Sequence, residues 1–121
     1  PIIHSGGAFG AVAWGDYNGD GHLDLLLTGR SRHFNGAQWL LANHAKVYRN
    51  DGNGTFTLVN AGLEGQIGGG VFQSSVAWGD FDHDGDLDIL LAGDRADGLW
   101  LTLIFRNNGD DSFTDIEAGL L

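Results

Sequence analysis

VAWGDYNGDGHLDLLLTG, residues Val12–Gly29, recurs without a gap as VAWGDFDHDGDLDILLAG, residues Val76–Gly93. Self-similarity at a fixed spacing is the first thing a sequence can say about its fold. Further matches extend this one outward. YRNDGNGTFT (Tyr48–Thr57) aligns on FRNNGDDSFT (Phe105–Thr114), and NAGLE (Asn60–Glu64) on EAGLL (Glu117–Leu121). The offset is 64 residues early and 57 late, so one insertion of seven lies in Arg30–Ala45 relative to Asp94–Thr102. Run backwards, Pro1 falls opposite Gly65 and Ile3 opposite Ile67. The chain reads as two repeats in phase, 1–64 and 65–121.

Each repeat reads as four short strands. In the first they are Ala11–Trp14, Asp24–Thr28, Lys46–Arg49 and Phe56–Val59. The second is almost wholly apolar, as a strand buried on both faces should be. Asn50–Gly54 (NDGNG) is a hairpin turn signal. Ala37–Ala45 could form a single helical turn, and the glycine-rich Gly65–Gly70 (GQIGGG) reads as a flexible link. A repeated four-stranded antiparallel unit of this length points to an all-β protein of two β-propeller blades. A single eight-stranded sandwich or barrel is the alternative.

The 16 Asp+Glu outnumber the 6 Lys+Arg in this 121-residue chain, which disfavours a nucleic-acid partner. Eight of those acids lie in the two loops inside the repeated stretch, so the acidity is local. There is no cysteine, hence no disulfide framework. No run approaches the ~20 apolar residues of a membrane-spanning helix.

The acidic loops share the pattern D-x-[DN]-x-D-G-x-x-D. The first carries Asp16, Asn18, Asp20 and Asp24, the second Asp80, Asp82, Asp84 and Asp88. Oxygens at positions 1, 3 and 5 converge when such a loop winds back on itself. The glycine at position 6 (Gly21, Gly85) permits the turn, the backbone carbonyl at position 7 (His22, Asp86) adds an oxygen, and position 9 closes the shell. An all-oxygen shell of six to eight ligands suits calcium. Position 12 is Leu27 or Leu91, inside a strand, so neither loop is an EF-hand. The imidazoles of His22 and His83 are bystanders in this reading. With four carboxylates against three and an amide, the second loop is expected to bind calcium more tightly.

Trp14 and Trp78, at equivalent places on the first strand, read as packing between blades. Two blades do not close a ring, and stacked repeats generally need about three for stability. Either several copies assemble, three giving six blades or four giving eight, or the chain is an excerpt from a longer propeller; the homo-oligomer is the expectation. Trp39 and Trp100 stand in the variable segments; Trp39 has Arg32, His33, Asn35 and Gln38 near it in sequence, a composition that can hold a glycan or a protein side chain. No nucleophile motif, phosphate-cradling loop or zinc signature is present, so no enzyme is expected.

VAWGD, the acidic loop, LDLLLTG and YRNDGNGTF together resemble the FG-GAP or VCBS repeats, which form calcium-bearing blades in integrin α-subunit propellers and in many bacterial secreted proteins. The resemblance covers nearly the whole chain. It implies calcium ligation by the eight loop side chains named above with the His22 and Asp86 carbonyls, an extracellular setting, and an adhesive or ligand-binding role. The chain departs from the family in size, since its propellers usually have about seven blades.

Overall fold

The computed structural model describes residues 8–120 except Ala96, with the side chains of Ala8, Phe9 and His33 also left aside. The expected pairings of Pro1 with Gly65 and Ile3 with Ile67, and the final Leu121, lie outside the described residues. Eight antiparallel strands form one open sheet: β1 (Ala8–Gly15), β2 (Asp24–Phe34), β3 (Trp39–Asn50), β4 (Phe56–Val59), β5 (Val71–Gly79), β6 (Asp88–Arg95), β7 (Trp100–Asn107) and β8 (Phe113–Asp115). Within it are two meanders, β1-β2-β3-β4 and β5-β6-β7-β8, joined by a single bridge from His44 to Val71. The all-β expectation holds, and the connectivity is that of two blade-like units.

Two local readings are corrected. Ala37–Ala45 is not helical. It closes a long hairpin in which Phe34 pairs Trp39 and ten residue pairs run unbroken to Leu25 and Tyr48. The seven-residue insertion thus lengthens β2 and β3. Asn35 makes the tight turn, its carboxamide oxygen accepting from the amides of Ala37 and Gln38 at 2.9 and 2.8 Å. Nor is Gly65–Gly70 a loose link. Its first half belongs to a short helix, α1 (Leu63–Ile67), with Leu63 and Ile67 buried. Gly70 then presses on the Asn43–His44 backbone, where a Cβ would stand 2.1 Å from the His44 nitrogen. The Gln66 side chain donates to the Phe113 carbonyl at 2.6 Å and accepts from the Asp115 amide at 2.7 Å. The Glu64 carboxylate accepts from the Ala45 amide at 2.9 Å and pairs with Lys46 at 3.4 Å. One helical turn therefore ties β3 of one meander to β8 of the other.

The core lies between the meanders, and strand alternation decides which residues enter it. Cross-strand partners share a face, so Leu26 and Val47 stand on one face of the first meander, while Trp14, Leu25 and Tyr48 stand on the other. Leu26 and Val47 are fully buried, and Tyr17 belongs to the same core. The Leu26 face meets the face of the second meander that carries Trp78, Ile89, Leu91, Phe105 and Phe113. At the centre, Tyr17 stacks on Trp78 with ring centroids 5.8 Å apart and planes 7° from parallel. The Trp78 indole N–H donates to the Ala13 carbonyl at 3.2 Å.

The expectation for the two tryptophans therefore holds for Trp78. Trp14, its repeat equivalent, is 58% exposed and touches Phe56 of its own meander.

Candidate metal centre

Both acidic loops join the first strand of a meander to the second, Gly15 to Asp24 and Gly79 to Asp88. Their internal hydrogen bonds match almost atom for atom. In the first, the two Asp16 oxygens accept from the amides of Asp20 and Gly21 at 3.1 and 2.9 Å. In the second, Asp80 accepts from Asp84 and Gly85 at 3.1 and 2.9 Å. Position 3 accepts from the position 5 amide, at 3.3 Å for Asn18 and 3.4 Å for Asp82. Position 5 accepts from the position 7 amide at 2.9 Å in both. Gly21 and Gly85 have φ of 88° and 93°, the left-handed region that a side chain rarely tolerates. The loop winds because short carboxylates capture backbone N–H groups two to five residues ahead.

The winding brings the acids together. Asp80, Asp82, Asp84 and Asp88 each place a carboxylate oxygen within 4.8 Å of all the others, and so do Asp16, Asp20 and Asp24. Asn18 lies in the same first loop, through its bond to the Asp20 amide. Calcium–oxygen bonds of about 2.3–2.6 Å allow ligand oxygens to stand up to about 5 Å apart across the ion. The separations and the all-oxygen chemistry therefore fit a calcium ion. The His22 imidazole lies over Gly52, where a Cβ would meet its Nε2 at 2.8 Å, and His83 is exposed.

The electrostatics fit a cation too. Burial pushes the Asp88 carboxyl above its ordinary value, opposed by the amides of Asn107 and Phe81 and aided by the negative charge of Asp84 and Asp80. Asp24 is raised for the same leading reason. Asp82 is raised by desolvation and then by Asp84 and Asp88. At Asp80 desolvation pulls upward, but the N–H groups of Gly85 and Asp84 outweigh it and hold the carboxyl low. The His22 amide does the same for Asp20. Clustered carboxylates of which some resist ionisation are what a divalent cation relieves.

Position 9 also fastens its loop to the sheet, which spacing did not disclose. Asp24 accepts from the amides of Tyr17 and Asn50 at 3.2 and 2.8 Å, and Asp88 from those of Phe81 and Asn107 at 3.1 and 2.8 Å. Each buried carboxylate thereby ties its loop to the end of the third strand of its meander. Asn50 and Asn107 are partners of the acidic loops that the motif reading passed over. Asn107 donates from its side chain to the carbonyls of both Leu87 and Tyr17 at 3.0 Å, linking one acidic loop to the other. Asn50 makes the first of these bonds, to Leu23, also at 3.0 Å. The signal was available, because both asparagines sit in the aligned YRN and FRN triplets.

Trp39 and Trp100 are both exposed, each at the tip of its own meander's second hairpin. Trp39 packs on Phe34, centroids 5.4 Å apart, with the Arg32 guanidinium 4.4 Å from its ring centre. Among the described residues no ring contact joins the two tryptophans.

Comparison with protein families finds two matches. Residues 8–40 match the FG-GAP repeat, and residues 36–91 match an FG-GAP-like repeat. The chain is built of FG-GAP repeats. The first match of the FG-GAP chain covers β1, the first acidic loop and most of the β2–β3 hairpin. The second runs from that hairpin through α1 and the whole second loop into β6. No curated protein and no solved structure matches it. Among the described residues no helix is long and apolar enough to cross a membrane.

Proposed function

We propose that this chain is a non-catalytic, calcium-binding β-propeller module of extracellular proteins, serving as an adhesion or ligand-binding scaffold. The observation that carries the reading is the convergence of four carboxylates, Asp80, Asp82, Asp84 and Asp88, in a loop whose repeat partner brings Asp16, Asp20 and Asp24 together in the same way. Asn18 and the backbone carbonyls of His22 and Asp86 complete the proposed ligand sets. The ion's part is structural. It neutralises carboxylates whose mutual repulsion opposes the wound loop, and so stabilises the joint between first and second strands. The extracellular assignment accords with the family to which the repeats belong and with the millimolar calcium that saturates weak sites there. Assembly of copies into a ring, as three or four chains, belongs to the same proposal.

Calorimetric titration tests it. Wild-type protein should take up two calcium ions. Asp80→Ala should lose the tighter one and Asp16→Ala the weaker. No calcium heat above buffer, or uptake unchanged in both variants, refutes the reading.

A second reading, a calcium-stabilised lectin, draws on the exposed Trp39, backed by Phe34 and Arg32, and on the exposed Trp100. A glycan-array signal lost in Trp39→Ala or Trp100→Ala would support it.

A further inference from the structure

The joint between the two meanders is a template for a second joint of the same kind, both halves of which stand exposed on this chain. Three elements of the first meander receive Trp78. They are the Ala13 carbonyl, which accepts its indole N–H, the Gly15 backbone and the Tyr17 ring. Gly15 has to lack a side chain, since a Cβ there would stand 2.6 Å from Trp78 Cδ1. The repeat puts Ala77, Gly79 and Phe81 in the same places on the second meander. They line a pocket of about 260 Å³ with Leu90 and Ile104, the counterparts of the fully buried Leu26 and Val47. An apolar cavity of about 150 Å³ takes a benzene ring, so this one has room for an indole. A Cβ on Gly79 would meet nothing within 4 Å.

Burial states the same fact from both sides. Tyr17 and Leu26 are 2% and 0% exposed, whereas their counterparts Phe81 and Leu90 are 45% and 46% exposed. On the opposite faces the order reverses. Phe113 is 2% exposed while its counterpart Phe56 is 38% exposed, and Trp78 is partly buried while Trp14 stands out. The chain thus carries one uncovered indole at one end and one uncovered indole socket at the other.

The geometry points to a head-to-tail contact in which Trp14 of one copy of this chain enters the Ala77–Gly79–Phe81 socket of a second copy. By the internal template, its indole N–H donates to the Ala77 carbonyl and its ring stacks on Phe81. The side chain of Asn50, which makes only the first of the two bonds made by Asn107, donates to the Phe81 carbonyl as Asn107 does to that of Tyr17. The contact joins two different surfaces, so it propagates from copy to copy, into a ring where its rotation closes and into a filament where it does not. It rests on the repeat geometry and not on calcium occupancy.

The test is complementation, read by native mass spectrometry and sedimentation in calcium buffer. Trp14→Ala removes the plug and keeps the socket. Gly79→Val fills the socket and keeps the plug. Trp14 is exposed and the space beyond Gly79 is open, so both variants should fold, as circular dichroism checks. Phe81→Ala is a second socket variant that adds no bulk. Wild type should exceed monomer mass, and each variant alone should be a monomer. An equimolar mixture of Trp14→Ala with either socket variant should form a one-to-one dimer that grows no further. Monomeric wild type at about 100-fold the concentration where dimer is sought, variants that stay assembled, or a mixture that stays monomeric would overturn the proposal. Calorimetric calcium uptake by monomeric Trp14→Ala keeps a failure here separate from a failure of the metal reading.

Discussion

Asp88 separates the two tasks assigned to position 9 of the acidic loop, because two substitutions there remove different things. Asp88→Ala takes away a proposed metal ligand and also the acceptor for the amides of Phe81 and Asn107, in a residue that is fully buried. A buried N–H left without an acceptor costs about 1–3 kcal/mol, so two cost about 2–6 kcal/mol. Part of this is offset, since burial already disfavours the Asp88 charge. The net loss in chelator should be about 3 kcal/mol, a drop in Tm of roughly 12 °C for a domain of this size. Asp88→Asn keeps an acceptor for only one of the two amides, which bond to different oxygens, and sheds the buried charge, so its loss in chelator should be about half that of Asp88→Ala. If the loop holds calcium as proposed, Asp88→Ala forfeits the second loop's contribution and Asp88→Asn, with one neutral oxygen, reduces it. That contribution is about 2.7 kcal/mol when free calcium is 100 times the dissociation constant. The assay is thermal unfolding followed by circular dichroism, with chelator and then with calcium. Equal Tm values for the two variants in chelator would refute the structural role of the buried acceptor. A wild-type calcium increment in Asp88→Asn would refute its role as a ligand.

Three further outcomes are expected. Gly15→Ala should destabilise the protein by about 1–3 kcal/mol, because its Cβ drives into the Trp78 ring, while the same change at Gly79 in the monomer should be near neutral; equal effects in a denaturant series would contradict the described joint. Trp78→Ala should cost about 3–5 kcal/mol by emptying the core between meanders, and Trp14→Ala in the monomer under about 0.5 kcal/mol, again by denaturant unfolding. The third concerns pH. In chelator, the raised carboxyls of Asp24 and Asp88 contribute stability that is full below the ordinary carboxylate range and lost as pH rises through their raised values. The Tm of wild type relative to the Asp24→Asn/Asp88→Asn double variant should therefore fall as pH rises through the ordinary carboxylate range and above it. Calcium affinity should rise over the same window as protons leave the ligands, and a calcium affinity flat in pH would count against both carboxylates as ligands.

Much of this protein was legible before any coordinates. Two gapless copies of an 18-residue stretch declared the repeat, and the alternation of acidic loop with apolar strand placed the strand order. The convergence of Asp16, Asp20 and Asp24, and of Asp80, Asp82, Asp84 and Asp88, was readable from spacing because the bonds that wind each loop span two to five residues. Local chemistry of that range is written in the order of residues. The helix Leu63–Ile67 was not readable. One turn shows no period, and its stability comes from Leu63 and Ile67 entering the core and from Gln66 bonding to Phe113 and Asp115, about 47–49 residues away. The Ala37–Ala45 segment misled for a related reason, since a hairpin arm is held by its partner strand across the turn.

What only the tertiary structure decided is the difference between identical things. Trp14 and Trp78 sit in the same tetrapeptide, as do Gly15 and Gly79, yet one tryptophan is exposed and the other is partly buried and stacked on a tyrosine. Sequence determines which face of a strand is apolar. Burial depends on whether another surface lies against that face, and in a repeat that depends on which neighbour is there to cover it.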